Sequence, residues 1–432
     1  MSFSKIFEKI IHLRLSNFLD KNDIISNKQY GFKKNTSTEI AVLDLNQQIL
    51  TNIDSKLLTL GVFIDISKAF DSIRHDILLK KLYHYGIRGK MYNWCCSYLD
   101  GRQQYVSINY SNSSLLPVIS GVPQGSILGP LFFNLFINDL INSSNVLKFI
   151  LYADDTTLLA SGKNINDITE VMNTELKNVS LWMEYNYLKI NISKTCCILF
   201  GPKILTNLHN FQIFLNNEAI KRVDSTKFLG VIISSNLNWK DHIILISTKI
   251  SKNLGIINKT KFILSNDIIL LLYYALIFPY LIYCITIWGR NIKTHTQLLT
   301  KQQNHFARIY FKLYKFDHIS FYLKKLKLLT VPQIYTMRIL IFLFKAIVLN
   351  RCPTFLQDYI KQNSITQKIT RHTQEFVTKR HRTQLYYNSI FIFGLKLWFN
   401  LPKYVKIINN ICQFKKAINN LIMLNHFDKF NI

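Results

Sequence analysis

Residues 149–159 (FILYADDTTLL) constrain the possible folds of this chain more strongly than any other stretch. Two apolar runs flank the adjacent acids Asp154 and Asp155, a pattern typical of a β-hairpin with the acids at its tip. Neighbouring carboxylates repel each other and are costly to hold against a half-buried sheet unless a cation lies between them. The pattern therefore predicts a hairpin that binds a divalent metal ion, and an ordinary Asp-rich turn is the alternative.

A third acid follows another apolar run. Residues 58–66 (LTLGVFIDI) have the length and continuous hydrophobicity of a buried strand, and Asp65 stands near its end. A carboxylate is costly there unless it faces a metal or a base. A sheet that joins this strand to the hairpin supplies Asp65, Asp154 and Asp155 as hard oxygen ligands, which suit Mg²⁺. Two such ions about 3.5–4 Å apart would activate a 3′-hydroxyl and stabilise a leaving pyrophosphate.

The charge balance favours a polyanionic partner. The chain has 53 Lys and Arg against 25 Asp and Glu, a formal net charge of +28. Residues 301–432 hold 22 Lys and Arg and 4 acids, which is +18 of that total, and the densest basic clusters are residues 371–372 and 379–382. Nucleic acid is the first candidate partner, and a solvated basic surface is the competing interpretation. With the three acids, this charge indicates nucleotidyl transfer.

One stretch raises the alternative of a membrane-inserted protein. Residues 268–288 carry no charged side chain, and about 20 apolar residues suffice to cross a bilayer. However, Pro279 interrupts the stretch and tyrosines occur throughout it, which favours a buried helical hairpin with no membrane partner. The seven cysteines show no Cys-x-x-Cys spacing, so they support neither a disulfide framework nor a zinc module, and reduced thiols are expected.

The remaining pattern predicts helices packed against an antiparallel sheet, an α+β fold. Residues 4–20 form an amphipathic helix whose apolar side chains lie near one face: Ile6, Phe7, Ile10, Ile11, Leu13, Leu15 and Leu19. Further helices are predicted at 38–51, 91–98 and 167–187, with another ending near Tyr85. Strands are predicted at 103–109 and 115–120, around a turn at 110–113, and at 196–200, 211–215 and 228–233.

Two loops are candidates for nucleic-acid contact. The basic, hydroxyl-rich loop at 29–38, which includes Lys33, is either a phosphate contact or a capped helix start. The loop at 121–130 (GVPQGSILGP) places three glycines around Gln124, so that its backbone can approach a flat group such as a base pair. The alternative for this second loop is a strained strand-to-helix turn.

Taken together, these stretches resemble the reverse transcriptases of non-LTR retrotransposons, most closely the jockey-like group of arthropod elements. Several ordered motifs are far more specific than a single one. The matching stretches are SKIFEKII (4–11), QYGFKKNTSTE (29–39), FIDISKAFD (63–71), SGVPQGSILGPLFFNLFINDL (120–140), LYADDTTLLA (151–160), LKINISKT (188–195), KFLGV (227–231), YLIYCITIWG (280–289) and GLKLWFNLP (394–402).

The resemblance implies catalytic roles residue by residue. Asp65 and Asp154 match the principal metal ligands of the family and Asp155 its third carboxylate, while Ile66 would lend a backbone carbonyl to a metal. Lys194 is similar to the lysine proposed to protonate the departing pyrophosphate, and a solvated surface lysine is the alternative.

The resemblance also implies roles in substrate binding. Phe70 matches the bulky side chain that lies beneath the sugar and excludes a ribose 2′-hydroxyl. Gln124 and Gly125 match the loop against the template base and the incoming nucleotide. Lys33 stands in the nucleotide-contacting basic loop, where the family more often has Arg, so the charge is kept and the bidentate fork lost. The primer grip is matched by Phe228, Leu229 and Gly230.

The implied protein is an α+β right-hand polymerase with partial fingers at 1–57, a palm or reverse transcriptase core at 58–233, a helical thumb at 234–300 and a basic helical region at 301–432. It would be an RNA-directed DNA polymerase that uses Mg²⁺, or Mn²⁺ as a substitute. Its partners would be an RNA template, a DNA primer or target, and dNTPs. An intracellular location is expected, nuclear during action on chromosomal DNA.

The sequence also departs from the family pattern. The Arg-Pro-Ile-Ser type fingers segment that usually precedes residues 4–11 is not in the sequence, and neither is an upstream endonuclease domain. We therefore expect an N-terminally truncated copy whose polymerase carboxylates survive. The alternative function is a catalytically inactive nucleic-acid-binding remnant of such an element.

Overall fold

A computed structural model describes residues 2–202, 211–290, 293–314, 317–364, 367–370, 373–376, 381–424 and 426–427. The chain divides into two compact units, and each is described by itself. The first unit comprises Met1–Ala41 and Leu57–Asp224, and the second comprises Val42–Lys56 and Ser225–Ile432. The basic residues 371–372 and the pair Lys379 and Arg380 lie outside the described residues.

The first unit alternates helices with strands, as the sequence predicts. Its helices are α1 (Ser2–Lys21), the start of α2 (Thr38–Asp54), α3 (His75–His84), α4 (Gly89–Leu99), α5 (Gly129–Ile137) and α6 (Ile165–Tyr185). Its strands are β1 (Leu58–Ile64), β2 (Gln103–Gln104), β3 (Ser107–Ile108), β4 (Ser111–Asn112), β5 (Leu116–Pro117), β6 (Lys148–Tyr152), β7 (Asp155–Gly162), β8 (Cys196–Phe200), β9 (Phe214–Leu215), β10 (Glu218–Ala219) and β11 (Lys221–Arg222). Short 3₁₀ helices lie at Ala69–Asp71 and Asn138–Ser143.

A five-stranded sheet forms the centre of this unit, in the order β11-β8-β1-β7-β6. Strand β1 is buried along its whole length and pairs antiparallel with β7 on one side and β8 on the other. The outer strand β11 pairs parallel with β8, so the sheet is antiparallel except at this edge. An apolar run with no polar alternation is what a strand covered on both faces requires.

Helices α5 and α6 cover the sheet. Eight of the nine residues of α5 are buried, and Phe132, Phe133 and Phe136 are fully buried. Helix α6 packs against β7 and buries the face formed by Ile168, Met172, Leu176, Val179 and Met183. The spacing of these residues places them on one face of a helix, which is why α6 is correctly predicted from the sequence.

The first of two local predictions that were wrong in detail concerns which residues of helix α1 are buried. Of these seven apolar residues of α1, only Ile11, Leu15 and Leu19 are buried, at four-residue spacing, whereas Ile6, Phe7, Ile10 and Leu13 are at least 45% exposed. Seven apolar residues cannot all share the narrow face that one helix presents to a core.

The second error concerns residues 103–120. In place of two long strands the structure has four strands of two residues each, and their turn lies at Asn109 and Tyr110, both with positive φ, and not at 110–113. All four short strands are exposed, so no core fixes a longer ladder.

The second unit is mainly helical. It contains the remainder of α2, strands β12 (Ser225–Phe228) and β13 (Val231–Ser234), and strands β14 (Gln367–Thr370) and β15 (Thr373–Phe376). Its other helices are α7 (Lys240–Thr260), α8 (Asn266–Leu276), α9 (Phe278–Ile282), α10 (Ile285–Trp288), α11 (Lys293–Phe311), α12 (Ser320–Lys325), α13 (Val331–Ile347), α14 (Thr354–Ser364), α15 (Gln384–Tyr387), α16 (Leu395–Phe399), α17 (Lys403–Lys406) and α18 (Ile411–Met423), with a π-helical turn at Ile390–Gly394.

The apolar stretch at 268–288 is divided among α8, α9 and α10, with Pro279 in the first turn of α9. One side of it is buried, through Tyr273, Leu281 and Trp288 among others. Among the described residues, no helix combines the length and hydrophobicity needed to cross a bilayer.

Candidate active site

The hairpin β6–β7 places two acids at its tip, as the sequence predicts. Tyr152 pairs with Asp155, so Ala153 and Asp154 alone form the turn. Ala153 is buried and adopts the left-handed conformation, with φ of 53°. The side chains of Asp154 and Asp155 face solvent at the tip, while the buried strands behind them hold their backbone in place.

Asp65 lies beside this tip because of strand register. Strand β1 runs antiparallel to β7, and its last residue, Ile64, pairs with Thr156. Asp65 is therefore the neighbour of Asp155 at the same end of the sheet. Its backbone is fixed from the other side, since its N–H donates to Thr195 Oγ1 at 3.3 Å and its carbonyl accepts from the Asn191 N–H at 2.8 Å.

The three carboxylates interact electrostatically. Partial burial, together with the charges of Asp154 and Asp65, raises the pKa of Asp155 to about 6. Partial burial and the charge of Asp65 likewise raise the pKa of Asp154. A site that disfavours its own negative charge is stabilised by a bound cation.

The three carboxylates are candidate ligands for a divalent metal ion. In the side-chain conformations of this structure, no group of three His, Cys, Asp or Glu residues within the described ranges could hold a metal ion. The donor chemistry does fit, because the three side chains are hard oxygen ligands whose charges act on one another at one end of the sheet.

The raised pKa of Asp155 predicts a pH dependence in the metal-free protein. Because the pKa in the folded state lies above its ordinary value of 3.8, the folded state binds this proton more tightly than the unfolded state does. Asp155 therefore destabilises the fold increasingly as pH rises from about 4 to about 6, and the effect is complete above about 7.

Urea denaturation with a chelator, at pH 4.5 and pH 7.5, measures this effect. Relative to Asp155→Asn, the wild-type protein should have a lower unfolding free energy at pH 7.5 than at pH 4.5. Added Mg²⁺ should reverse this loss. A difference that is the same at both pH values would show that Asp155 is not perturbed.

The loop at 29–31 holds the hairpin turn. The Gln29 side chain is 1% exposed, and its Oε1 accepts hydrogen bonds from the N–H of Gly31 at 2.8 Å and of Ala153 at 3.2 Å. The Tyr30 N–H donates to the Leu151 carbonyl at 2.8 Å. At Gly31 there is no space for a side chain, since a Cβ would lie 2.5 Å from the Ala153 nitrogen. Sequence reasoning missed Gln29 and Gly31, although the family-like QYGF motif contains both.

The loop at 121–130 is joined to the segment that follows β1. The Val122 N–H donates to the Phe70 carbonyl at 2.9 Å, and Gln124 Nε2 donates to Asp71 Oδ1 at 3.0 Å. The Phe70 ring stacks on Phe133, with centroids 4.4 Å apart. Gly125 has φ of 80° and open space around its Cα, so its backbone is accessible.

A cavity of about 660 Å³ adjoins this loop. Its lining includes Gln124, Asp71 and the basic residues Lys68 and Arg102. Sequence reasoning gave these two cations no role, because Lys68 after β1 and Arg102 between α4 and β2 are isolated basic residues that form no pattern. The charges of Lys68 and Arg102 outweigh that of Asp71, so the lining has a net positive charge.

Glu8 is a further residue that sequence reasoning missed. It is 7% exposed on α1, and its Oε2 accepts a hydrogen bond from the Ile127 N–H at 2.8 Å. A buried acid between apolar residues in SKIFEKII was the available signal. It ties α1 to the second half of the glycine-rich loop.

The two predicted lysines occupy different environments. Lys33 donates to the carbonyls of Ile25 and Ser26 at 3.0 and 2.9 Å, and burial lowers the pKa of its ammonium. A phosphate contact would require these bonds to be given up. Lys194 is exposed and lies in the segment that contacts Asp65 through Asn191 and Thr195.

The predicted primer-grip residues form a hairpin turn in the second unit. Phe228 pairs with Val231, and Leu229 and Gly230 between them have φ of 45° and 82°. Tyr283 Oη donates to the Leu229 carbonyl at 2.6 Å, which fixes the turn.

Comparison with known proteins decides the family. Residues 1–233 match the family model described as reverse transcriptase (RNA-dependent DNA polymerase). The chain belongs to the reverse transcriptase family. This membership confirms the α+β polymerase fold expected from the motifs, and polymerases of this family generally use divalent metal ions.

Curated relatives confirm the group within the reverse transcriptases. The chain is 29% identical over 326 residues to the probable RNA-directed DNA polymerase from transposon BS of Drosophila melanogaster, covering 71% of this chain and 35% of that protein. It is 28% identical over 309 residues to the RNA-directed DNA polymerase from mobile element jockey of the same species, covering 68% and 33%. The chain thus spans about a third of the length of these relatives.

Among solved structures, the reverse transcriptase chain is similar to telomerase from Candida albicans in complex with a fragment of telomeric RNA. The identity is 13%, the TM-score is 0.41, and the match covers 76% of this chain and 59% of that one.

Proposed function

We propose that this chain is the RNA-directed DNA polymerase of a jockey-like non-LTR retrotransposon. It would transfer nucleotides from dNTPs to a primer 3′-hydroxyl on an RNA template. The observation that carries the proposal is the sheet end in a reverse transcriptase domain where Asp65, Asp154 and Asp155 act on one another's charge. The curated relatives are named RNA-directed DNA polymerases, which supports the same reaction.

Asp65, Asp154 and Asp155 would hold Mg²⁺, with the Ile66 carbonyl as a further ligand. Bound Mg²⁺ would lower the pKa of a 3′-hydroxyl and neutralise charge on the transferred phosphate. The protein's contribution is to hold the carboxylates in position: the hairpin turn is fixed by Gln29, and Asp65 by its backbone hydrogen bonds.

The surrounding residues would position the substrates. Phe70, which is held against Phe133, would lie beneath the sugar of the dNTP and exclude a 2′-hydroxyl. Gln124 and Gly125 would lie against the template base, and Lys68 and Arg102 would contact phosphates from the adjoining cavity. Lys194 would protonate the leaving pyrophosphate.

The proposal keeps the division into fingers, palm, thumb and basic C-terminal region. Phe228, Leu229 and Gly230 would hold the primer strand, and residues 301–432 would contact the backbone of RNA or target DNA through their excess of Lys and Arg. Action on chromosomal DNA would take place in the nucleus.

Binding to an RNA–DNA hybrid should weaken steeply with salt. A protein that neutralises 6–10 phosphates loses about 10³–10⁵-fold in affinity between 50 and 200 mM salt, because counterions are released on binding. Fluorescence anisotropy across that range measures the slope. Lys415→Gln/Lys416→Gln, which removes two exposed charges of α18, should lower the slope if these residues contact phosphate. An affinity that is flat with salt would contradict the basic-surface argument.

Primer extension on matched templates tests the function. Purified protein should extend a DNA primer on an RNA template with Mg²⁺ and dNTPs, and EDTA should abolish the product. A DNA template of the same sequence serves as the comparison for template preference. Tight, salt-dependent hybrid binding without any extension would instead identify the chain as a non-catalytic nucleic-acid-binding remnant.

A further inference from the structure

The second unit contains a cavity of about 330 Å³, distant in sequence from the carboxylates and lined by both apolar and polar residues. This volume is within the range of small-ligand sites, about 300–1,000 Å³. Helices α2, α10 and α15 and the segment before α7 contribute to its wall. Its polar lining residues are neutral: Asn46, Asn236, Asn238, Gln384, Asn388 and Ser389. Arg290 is the one charged residue among the described residues that line it.

Arg290 is held in place but lacks a counter-ion in the cavity. Its Nε donates to Asn388 Oδ1 at 2.9 Å, and its guanidinium lies 3.4 Å over the Phe393 ring. Its Nη1 is buried and has no hydrogen-bond partner in the described part of the chain. A guanidinium stays protonated at neutral pH, so it cannot relieve this burial by losing its charge. A partly buried guanidinium with an unpaired N–H group is unfavourable, and a bound anion would satisfy that group.

Two further polar atoms of the lining lack partners. Asn46 and Ser389 are each 6% exposed, and both Asn46 Oδ1 and Ser389 Oγ are buried without a hydrogen bond among the described residues. A serine hydroxyl can donate, and an asparagine amide can present its NH₂ group after a half-turn of the side chain. Three residues that line one cavity thus each have a buried polar atom without a hydrogen-bond partner. This indicates a missing hydrogen-bonding ligand.

The start of helix α7 adds positive potential. Asn238 and Trp239, which line the cavity, immediately precede this 21-residue helix, and Asn238 Oδ1 accepts from the Lys240 N–H at 3.0 Å. A helix N-terminus carries about half a positive charge and favours anions. This partial charge has the same sign as the charge of Arg290, so both favour an anion.

Helix α2, which contributes Asn46 to the lining, is anchored by hydrogen bonds of its own. Asp54, at the end of α2, accepts hydrogen bonds from the N–H groups of Arg382 and Thr383 at 2.9 Å, and Arg382 Nε donates to the Asp54 carbonyl at 3.1 Å. These bonds fix α2 next to the segment that leads into α15. The cavity is thus bounded by elements that are tied together.

We propose that this cavity binds a phosphate oxyanion, with Arg290 as its charged ligand and Ser389 and Asn46 as hydrogen-bonding partners. A cation is excluded by Arg290, and a neutral ligand would leave the guanidinium unpaired. The phosphate is carried either by a nucleic-acid strand or by a small free molecule, and the test separates the two. The proposal does not depend on polymerase activity.

Isothermal titration of the full chain with sodium pyrophosphate, and with a short oligonucleotide with or without a 5′-phosphate, tests this site. Arg290-dependent binding of pyrophosphate indicates a small free ligand. If only oligonucleotide binding depends on Arg290, the ligand is a phosphate of a nucleic-acid strand. If neither probe shows a component that is lost in Arg290→Met, the proposal is overturned.

Asn388→Asp is the most informative variant. It keeps the oxygen that accepts from Arg290 Nε, so the new carboxylate pairs with the guanidinium and replaces the anion. We expect at least a tenfold loss of phosphate affinity with an unchanged or higher melting temperature.

Two further variants complete the test. Ser389→Ala should weaken binding severalfold, and Arg351→Met, which removes an exposed arginine, should bind as wild type does. Wild-type affinity in both Asn388→Asp and Ser389→Ala would also overturn the proposal.

Discussion

Asp154→Asn is expected to reduce primer extension by about 10³-fold or more while leaving the fold intact. The substitution removes one negative charge from the carboxylates that would hold Mg²⁺, and the loss of several kcal/mol of metal-mediated stabilisation corresponds to this factor. Asparagine favours turns as aspartate does, so the tip between Tyr152 and Asp155 should keep its geometry. The melting temperature should not fall, because the charge that is lost is one that Asp65 disfavours.

Single-turnover extension measured beside hybrid affinity separates catalysis from binding. Asp100→Asn, a substitution of an exposed acid at the end of α4, is the matched control and should behave as wild type. Extension by Asp154→Asn at the wild-type rate would show that this carboxylate has no part in the reaction.

Gly31→Ala is expected to lower extension by about 10²-fold, because it displaces the turn that carries Asp154. Its Cβ would lie 2.5 Å from the Ala153 nitrogen and 3.1 Å from the Tyr152 carbonyl carbon, and both neighbours are backbone atoms that cannot rotate away. A displacement of about 1 Å of catalytic groups can cost about 10²-fold in rate. Overpacking of this kind typically destabilises by about 1–3 kcal/mol.

Gly255→Ala provides the control for Gly31→Ala. Gly255 lies within α7 with nothing within 4 Å of its added Cβ, so alanine should stabilise the helix by up to about 1 kcal/mol and leave extension unchanged. Urea denaturation and extension should be measured for both variants. Gly31→Ala protein with wild-type extension would show that the 29–31 loop does not position the hairpin.

The sequence predicted the parts of the site that depend on strand patterning. A buried strand that ends in an acid presents that acid at the edge of a sheet, and an apolar hairpin presents the acids of its turn at its tip. Asp65, Asp154 and Asp155 could therefore be identified as candidate residues without coordinates. The register that makes Asp65 the neighbour of Asp155 depends on pairing between segments some 90 residues apart, Ile64 with Thr156, and no local signal encodes it.

Residues that act through tertiary hydrogen bonds were missed for the same reason. Gln29 and Glu8 are polar side chains in loops or helices whose buried partners, Ala153 and Ile127, lie more than 100 residues away. Helix α1 shows the converse limit. Its hydrophobic pattern predicts a helix correctly, but which of its apolar residues are buried depends on the width of the core surface that it meets.

The central claim is that Asp65, Asp154 and Asp155 form a divalent metal centre, and Fe²⁺-mediated backbone cleavage tests it most directly. With ascorbate and peroxide, Fe²⁺ bound in place of Mg²⁺ would cut the chain near residue 65 and near residues 154–155, and excess Mg²⁺ would suppress both cuts. Asp155→Asn should weaken both cuts together. Cleavage at other positions, or cleavage that Mg²⁺ does not suppress, would contradict the account.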